Sequence, residues 1–249
     1  MIIAAVNSKG GVGKTTLSVH LASWLYQHGW TACLVDCDAQ RLSSRWIDSA
    51  QPEITAIVTD SPTSIIEQLP RLTADFDAVV VDAPGGLGEI TGAILSQADA
   101  VLIPTGPSNL DIMALDWATS TVQEIQSHRD GLPQTVIIPV QAVAKRLTTR
   151  HLMEKAKGLG FGVTKTVIPY REIYSQVAGL VDRPPKLLWQ LGTSKRVRQA
   201  ALELDTLFQE IFPEACEEDR GKIGGLVAPR ITRLKRVENQ DEQKLVVND

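Results

Sequence analysis

The sequence predicts an α/β protein built on a doubly wound, mostly parallel sheet flanked by helices, and three observations carry that expectation. Several short apolar runs lack the in–out alternation of a half-exposed strand, which is how parallel strands covered on both faces read. Helical patterns separate these runs along the chain. Polar or glycine-rich loops follow them, at the strand ends where ligands of such sheets gather.

Taken in order, "MIIAAVN" is the first strand. A glycine loop follows, then "TTLSVHLASWLYQHG", a helix with Leu17, Leu21, Ala22 and Leu25 at helical spacing and Gly29 as its stop. "TACLVD" is the second strand, "DAVVVD" at 77–82 the third, "DAVLIP" at 99–104 the fourth and "TVIIPV" at 135–140 the fifth. Further helices are expected over 62–72, 110–127, 148–159 and 193–212, with a short one around 43–47. Residues 1–212 form one domain on this reading, and 249 residues are short for two. After "FPEA" the composition turns to paired glycines and charge blocks, so 213–249 is expected to be a charged, mobile tail. Its "RITRLKR" carries Ile231 and Leu234 three apart, a pattern shared by a short amphipathic helix and a solvated tail.

Hydrophobic residues make up 43% of the chain, charged residues 22%, and the net charge is −4, ordinary values for a soluble protein. No run of eighteen apolar residues and no secretory pattern is present. Cys33, Cys37 and Cys216 lack metal-ligand spacing, and a cytoplasmic setting is expected. The balance of charge is uneven along the chain. Residues 1–144 hold six basic against fifteen acidic side chains, whereas 145–198 hold twelve against three. A basic block of that density suits a polyanion, although solvated helix faces would have the same composition. His20, His28, His128 and His151 are scattered and expected on surfaces or helices rather than as ligands, and the five tryptophans as packing anchors.

The chemistry concentrates in strand–"GGVGKTT"–helix. Gly10, Gly11 and Gly13, with Val12 between them, let backbone N–H groups converge on phosphate oxygens at the positive end of the next helix. Lys14 is placed for the β- and γ-phosphates of ATP, the Thr15 hydroxyl for Mg2+, and Thr16 for the α-phosphate. Asp82 closes an apolar strand before the glycine-rich "APGGLG", as a partner of Mg2+ ahead of a switch loop would. Asp36 and Asp38 in "LVDCDAQ" lie two residues apart and so on one side of an extended chain. One of them near Mg2+ and the other beside an attacking water is a division of labour suited to hydrolysis. Either could instead cap the helix around 43–47, a real competitor for the role of Asp38. Lys9 is surplus to all of this, since one nucleotide needs only Lys14.

"KGGVGKTT", "DCDAQ" and "VVVDAPGG", in this order, resemble the deviant Walker-box ATPases of the ParA/MinD type over residues 1 to about 212. The resemblance implies a P-loop NTPase fold of the SIMIBI class with ATP and Mg2+. It implies that Lys9 reaches across a nucleotide-sandwich homodimer to the partner's phosphates, that Asp38 positions water, and that Asp82 is the Walker B aspartate. "VIPYREIYSQV" is similar to the family's segment near the adenine and dimer face, which puts Pro169 among the nucleotide contacts. Ala39 stands where many members have proline, a difference in loop stiffness.

With no N-terminal helix-turn-helix, the chain looks like the short ParA branch. That resemblance implies ATP-dependent binding to nucleoid DNA without sequence preference. Lys195, Arg196 and Arg198 in "TSKRVRQAALEL" are the leading phosphate contacts, with Lys145, Arg146, Arg150, Lys155 and Lys157 behind them. Arg146 is a candidate for the dimer interface as well. The implied function is to position a cargo, a plasmid or chromosome or a protein body such as the carboxysome. A ParB- or McdB-like adaptor would stimulate hydrolysis, and no membrane partner is expected. "DCDAQRLSSRW" leans towards the carboxysome-distribution relatives. The alternative is a MinD-like membrane ATPase at the division site, against which the aromatic-free "ENQDEQKLVVND" stands. Iron-protein relatives need cluster cysteines that the loop after Asp82 lacks.

Overall fold

The computed structural model describes residues 1–86, 88–179 and 183–216. Most of the tail, including "RITRLKR", therefore lies outside the described residues; its first residues form a 3-10 turn at Pro213–Cys216. The elements are β1 (Ile2–Ala5), α1 (Lys14–Gln27), β2 (Ala32–Asp36), α2 (Leu42–Ala50), β3 (Thr55–Val58), α3 (Pro62–Leu72), β4 (Ala78–Asp82), α4 (Glu89–Gln97), β5 (Ala100–Thr105), α5 (Asn109–Ser127), β6 (Gln134–Pro139), α6 (Leu147–Gly158), β7 (Gly162–Val163), α7 (Glu172–Val177) and α8 (Lys195–Ile211). The strands form one parallel sheet in the order β3-β2-β4-β1-β5-β6-β7.

The unbroken apolar runs have the expected cause. Along β1, Ile3 and Ala5 enter one core cluster while Ile2 and Ala4 enter the other. The same split runs through Leu34 against Val35 in β2, Val80 against Val81 in β4 and Leu102 against Val101 in β5. The first cluster is closed by α1 and α8, with Leu21, Leu25, Leu207 and Phe208 fully buried. The second is closed by α3, α4, α5 and α6 through Leu69, Ile94, Leu115 and Leu152. Gly29 ends α1 at φ +82°, the left-handed geometry that favours glycine.

The central strand is β1, with the chain passing first to one side of it and then to the other. That order makes the carboxyl end of β1 the point where connections diverge and a crevice opens. Register aligns Asp82 with both Ala5 and Asp36. Asp82 therefore sits directly beside the loop that leaves β1, with Asp36 one strand further out.

His20 lies on a helix, as one of the expected alternatives has it, while two other sequence expectations need correction. His20 is fully buried on α1 between Trp46 and Trp189, with ring centroids 5.6 Å and 5.1 Å away. Its Nδ1 meets the Thr16 carbonyl at 2.8 Å and its Nε2 accepts the Leu188 N–H at 3.2 Å, so both ring nitrogens are satisfied by backbone. Trp117 is no packing anchor, being 70% exposed on α5. The helix expected over 193–212 runs only over Lys195–Ile211, because the Ser194 hydroxyl accepts the Val197 N–H and starts it there.

Candidate nucleotide site

The loop between β1 and α1 is held open from behind. Asn7, fully buried, donates from Nδ2 to the Pro104 carbonyl at 2.8 Å and accepts the Lys9 N–H at 2.8 Å. The loop then turns through Gly11 at φ +75° and Gly13 at φ +94°, backbone that an L side chain resists. A Cβ built on Gly10, Gly11 or Gly13 would meet nothing within 4 Å, so the space in front of the backbone is clear. Gly13 caps α1 with no side-chain acceptor on the first-turn N–H groups. That leaves those donors for an anion. Val12, between the glycines, is buried and anchors the loop to the first core cluster.

Lys14 is 8% exposed at the first position of α1. Burial pulls its ammonium below the usual lysine range, while Asp82 and Asp38 hold it up. Thr15 donates its hydroxyl to Asp82 Oδ2 at 2.8 Å, and Ser18, one turn on, donates to Oδ1 at 3.3 Å. Burial raises the Asp82 carboxyl to about 6; the Thr15 bond opposes the rise and nearby Asp36 adds to it. Thr16 is half-buried in the same turn.

Asp36 and Asp38 take different places in the turn after β2. Asp36 is fully buried, and its two oxygens accept the N–H groups of Asp38 at 3.1 Å and Ser44 at 2.9 Å. Asp36, not Asp38, therefore holds the start of α2. Asp38 is partly exposed and accepts the Gln40 N–H at 2.9 Å, which leaves its second oxygen facing outward from a tight turn. Cys37 between them is fully buried, its thiol raised by burial and the surrounding carboxylates.

Lys9 does not join the phosphate cradle. Its Nζ pairs with Asp111 Oδ1 at 2.5 Å and reaches Ser108 Oγ at 3.5 Å, both at the start of α5. Ser108 and Asp111 also cap α5 reciprocally. Burial would raise the Asp111 carboxyl, but the bonds from Lys9 and Ser108 outweigh it and hold it below the usual range. Sequence reasoning missed this partner, although the box "SNLD" is legible as a helix start. It also missed Gln141, whose Nε2 donates to the Gly11 carbonyl at 2.6 Å. The loop after β6 that carries Gln141 bridges in parallel to Ile168 through Val140, and this brings half-buried Pro169 to the same end of the sheet.

The donor set suits a hard cation. Thr15 and Asp82 offer oxygen only, and among the described residues no cluster of three His, Cys, Asp or Glu side chains exists to hold an ion unaided. That combination fits Mg2+, which keeps waters and binds through one or two protein oxygens plus phosphates.

On the other side, Lys195, Arg196 and Arg198 stand exposed at the start of α8 and make no ion pair among the described residues. Lys145, Arg146, Arg150 and Lys157 are exposed as well, Arg146 at the N-cap of α6. Lys155 is paired with Asp116 at 2.9 Å, and Arg171 with Glu203 at 2.5 Å. The basic block is thus partly neutralised in place.

A phosphate loop, a strand-end aspartate and a parallel sheet with β1 at its centre define a nucleotide-binding α/β domain, and sequence comparison agrees. The model of the CobQ/CobB/MinD/ParA nucleotide binding domain matches residues 3–181, and the chain belongs to that family. Within it, the chain is 32% identical over 219 residues to the maintenance of carboxysome distribution protein A of Halothiobacillus neapolitanus, covering 85% of this chain and 96% of that protein. It is 26% identical over 211 residues to the sporulation initiation inhibitor protein Soj of Bacillus subtilis, covering 68% and 83%. A solved ATP complex of a Cyanothece McdA variant shares the fold, with TM-score 0.67 at 18% identity over 91% of this chain and 98% of that one. No described helix is long and apolar enough to cross a membrane.

Proposed function

We propose that this chain is a ParA-type ATPase that dimerises around ATP, binds DNA without sequence preference and positions a cargo. Lys14 and the loop N–H groups would hold the β- and γ-phosphates, with Thr15 and Asp82 beside Mg2+. Bound Mg2+ would neutralise charge on the phosphate oxygens. Asp38 would orient the attacking water, and Asp36, its oxygens engaged by backbone, would fix that turn. Pro169 would pack near the base.

The observation that carries the dimer is the position of Lys9. It stands outside its own phosphate cradle, partly exposed and held by an acid on α5, and by exchanging that carboxylate for a phosphate it would meet another subunit's nucleotide. Exposed apolar side chains support the same reading: Leu110 and Met113 sit beside Asp111, and Val143 lies close to Gln141. DNA is supported by Lys195, Arg196 and Arg198, three exposed cations without counter-ions among the described residues. The similarity to a carboxysome-distribution protein favours a cargo delivered through an adaptor that stimulates hydrolysis, on the nucleoid in the cytoplasm.

The test compares binding to a random-sequence duplex and to anionic lipid vesicles, each with ATP and with ADP. ATP-dependent retention on DNA alone is expected. Retention on vesicles alone would overturn the reading in favour of a membrane ATPase.

A further inference from the structure

Helix α8 is fastened to the body of the molecule by all of its carboxylates. Glu210 accepts the Lys165 N–H at 2.6 Å, the Thr166 N–H at 2.9 Å and the Thr166 hydroxyl at 2.7 Å. Glu203 accepts Arg171 twice, Nε to Oε2 at 2.8 Å and Nη2 to Oε1 at 2.5 Å, and the Tyr174 hydroxyl at 3.1 Å. These two glutamates, seven positions and about 10 Å apart on one helix face, grip the two ends of the segment that contains Pro169. Asp205 accepts the Trp24 indole N–H at 2.8 Å, and Phe208 packs on the same ring at 5.6 Å. Trp24 belongs to α1, which opens with Lys14.

The cations of α8 are arranged in the opposite manner. Lys195, Arg196 and Arg198 lie in its first turn, exposed and without an ion pair among the described residues. One helix therefore has a clamped body and a free basic end. A helix does not stretch, so movement of the segment around Pro169 reaches its far end as rigid displacement. Of the ties, Arg171–Glu203 is the directional one: a two-pronged contact between half-buried side chains resists both rotation and sliding.

We propose that the Arg171–Glu203 pair couples the nucleotide-facing segment to the basic start of α8, so that the nucleotide state sets how Lys195, Arg196 and Arg198 meet DNA. This inference rests on the DNA-binding reading above. Glu203 is a positioning residue in it and touches neither ligand. By linkage the coupling is reciprocal, and DNA should tighten ATP binding by the same factor that ATP tightens DNA binding.

The experiment uses the full chain and a random-sequence duplex, measuring DNA affinity with ADP and with ATPγS for wild type, Glu203→Gln, Arg171→Ala and the double variant. Nucleotide affinity and melting temperature are recorded in parallel. Wild type should show an ATPγS-to-ADP ratio of at least about fivefold. Either single variant should bring the ratio towards one while ATPγS still binds, and the double variant should change it no further. A merely structural pair would lower the melting temperature and leave the ratio intact, and that result would overturn the inference. No nucleotide-dependent DNA binding in wild type would instead sink the DNA reading, and this coupling with it.

Discussion

Helix α1 opens on Lys14 and helix α8 on Lys195, Arg196 and Arg198, and neither has an acidic residue in its first turn. Cations at a helix N-terminus work against the macrodipole, at about 0.3–1 kcal/mol each, so both arrangements need an anion from elsewhere. In α1 that need is met internally and at close range. Lys14 is buried, with Asp82 and Asp38 nearby and a glycine cradle ahead of it. In α8 it is left open: the cations are exposed and unpaired among the described residues. A buried, pre-aligned cation suits a small anion of fixed shape, and an exposed spread of charge suits a polymer. The contrast teaches that one chain can offer cations in two ways, by fixed geometry and by surface density.

The largest expected effect breaks the first half of that contrast. Lys14→Ala removes a buried cation aimed at the cradle and should weaken ATP binding by about 100-fold or more, read by titration with a fluorescent ATP analogue; a change within a few-fold would place the phosphates elsewhere. Next in size is the join between the two regions. His20 on α1 bonds the backbone leading into α8, and burial lowers its pKa from 6.5 to about 4. Between those values the unfolded chain takes up a proton that the folded chain refuses. Stability should therefore fall as pH drops from about 6.5 towards 4, by up to about 3 kcal/mol. Denaturant melts across that window should show the loss, and His20→Gln should flatten it.

The second half of the contrast predicts a more graded response. Arg196→Gln should weaken DNA binding by about tenfold at low salt and reduce the salt slope by about one. Anisotropy titrations at several salt concentrations measure both, and an unchanged slope would move the DNA surface away from α8. The smallest effect concerns Lys9. Asp111→Asn removes the charge of a pair whose lysine is partly exposed but keeps an oxygen to cap α5, so the loss should be about 1–2 kcal/mol and a melt should shift by a few degrees while ATP affinity stays level.

Much of this was legible in the sequence, for physical reasons. Strands β1, β2, β4 and β5 announce themselves because burial on both faces leaves no polar position before their carboxyl ends. Helix α3 begins at Pro62 and ends at Leu72 as expected, since proline is favoured in a first turn. Strand β3 did not announce itself: at the sheet edge, Thr55 and Val58 are exposed and the pattern resembles a loop. Strand β7 has only two residues, too few to carry a period. In the site, the loop and Asp82 follow from local spacing. The partners Asp111 of Lys9 and Gln141 of Gly11 do not, because 102 and 130 residues separate them and only the fold brings them together. The charge block from 145 to 198 likewise overstated its freedom, since Asp116 and Glu203 neutralise part of it from outside.

The two lysines of one loop offer the most direct test. Sedimentation velocity of wild type and Lys9→Ala with ADP–Mg2+ and with ATPγS–Mg2+ separates binding one's own nucleotide from reaching a partner's. The account predicts that wild type shifts from monomer to dimer with ATPγS, while Lys9→Ala still binds the nucleotide and stays monomeric. A variant that dimerises as well as wild type would contradict it.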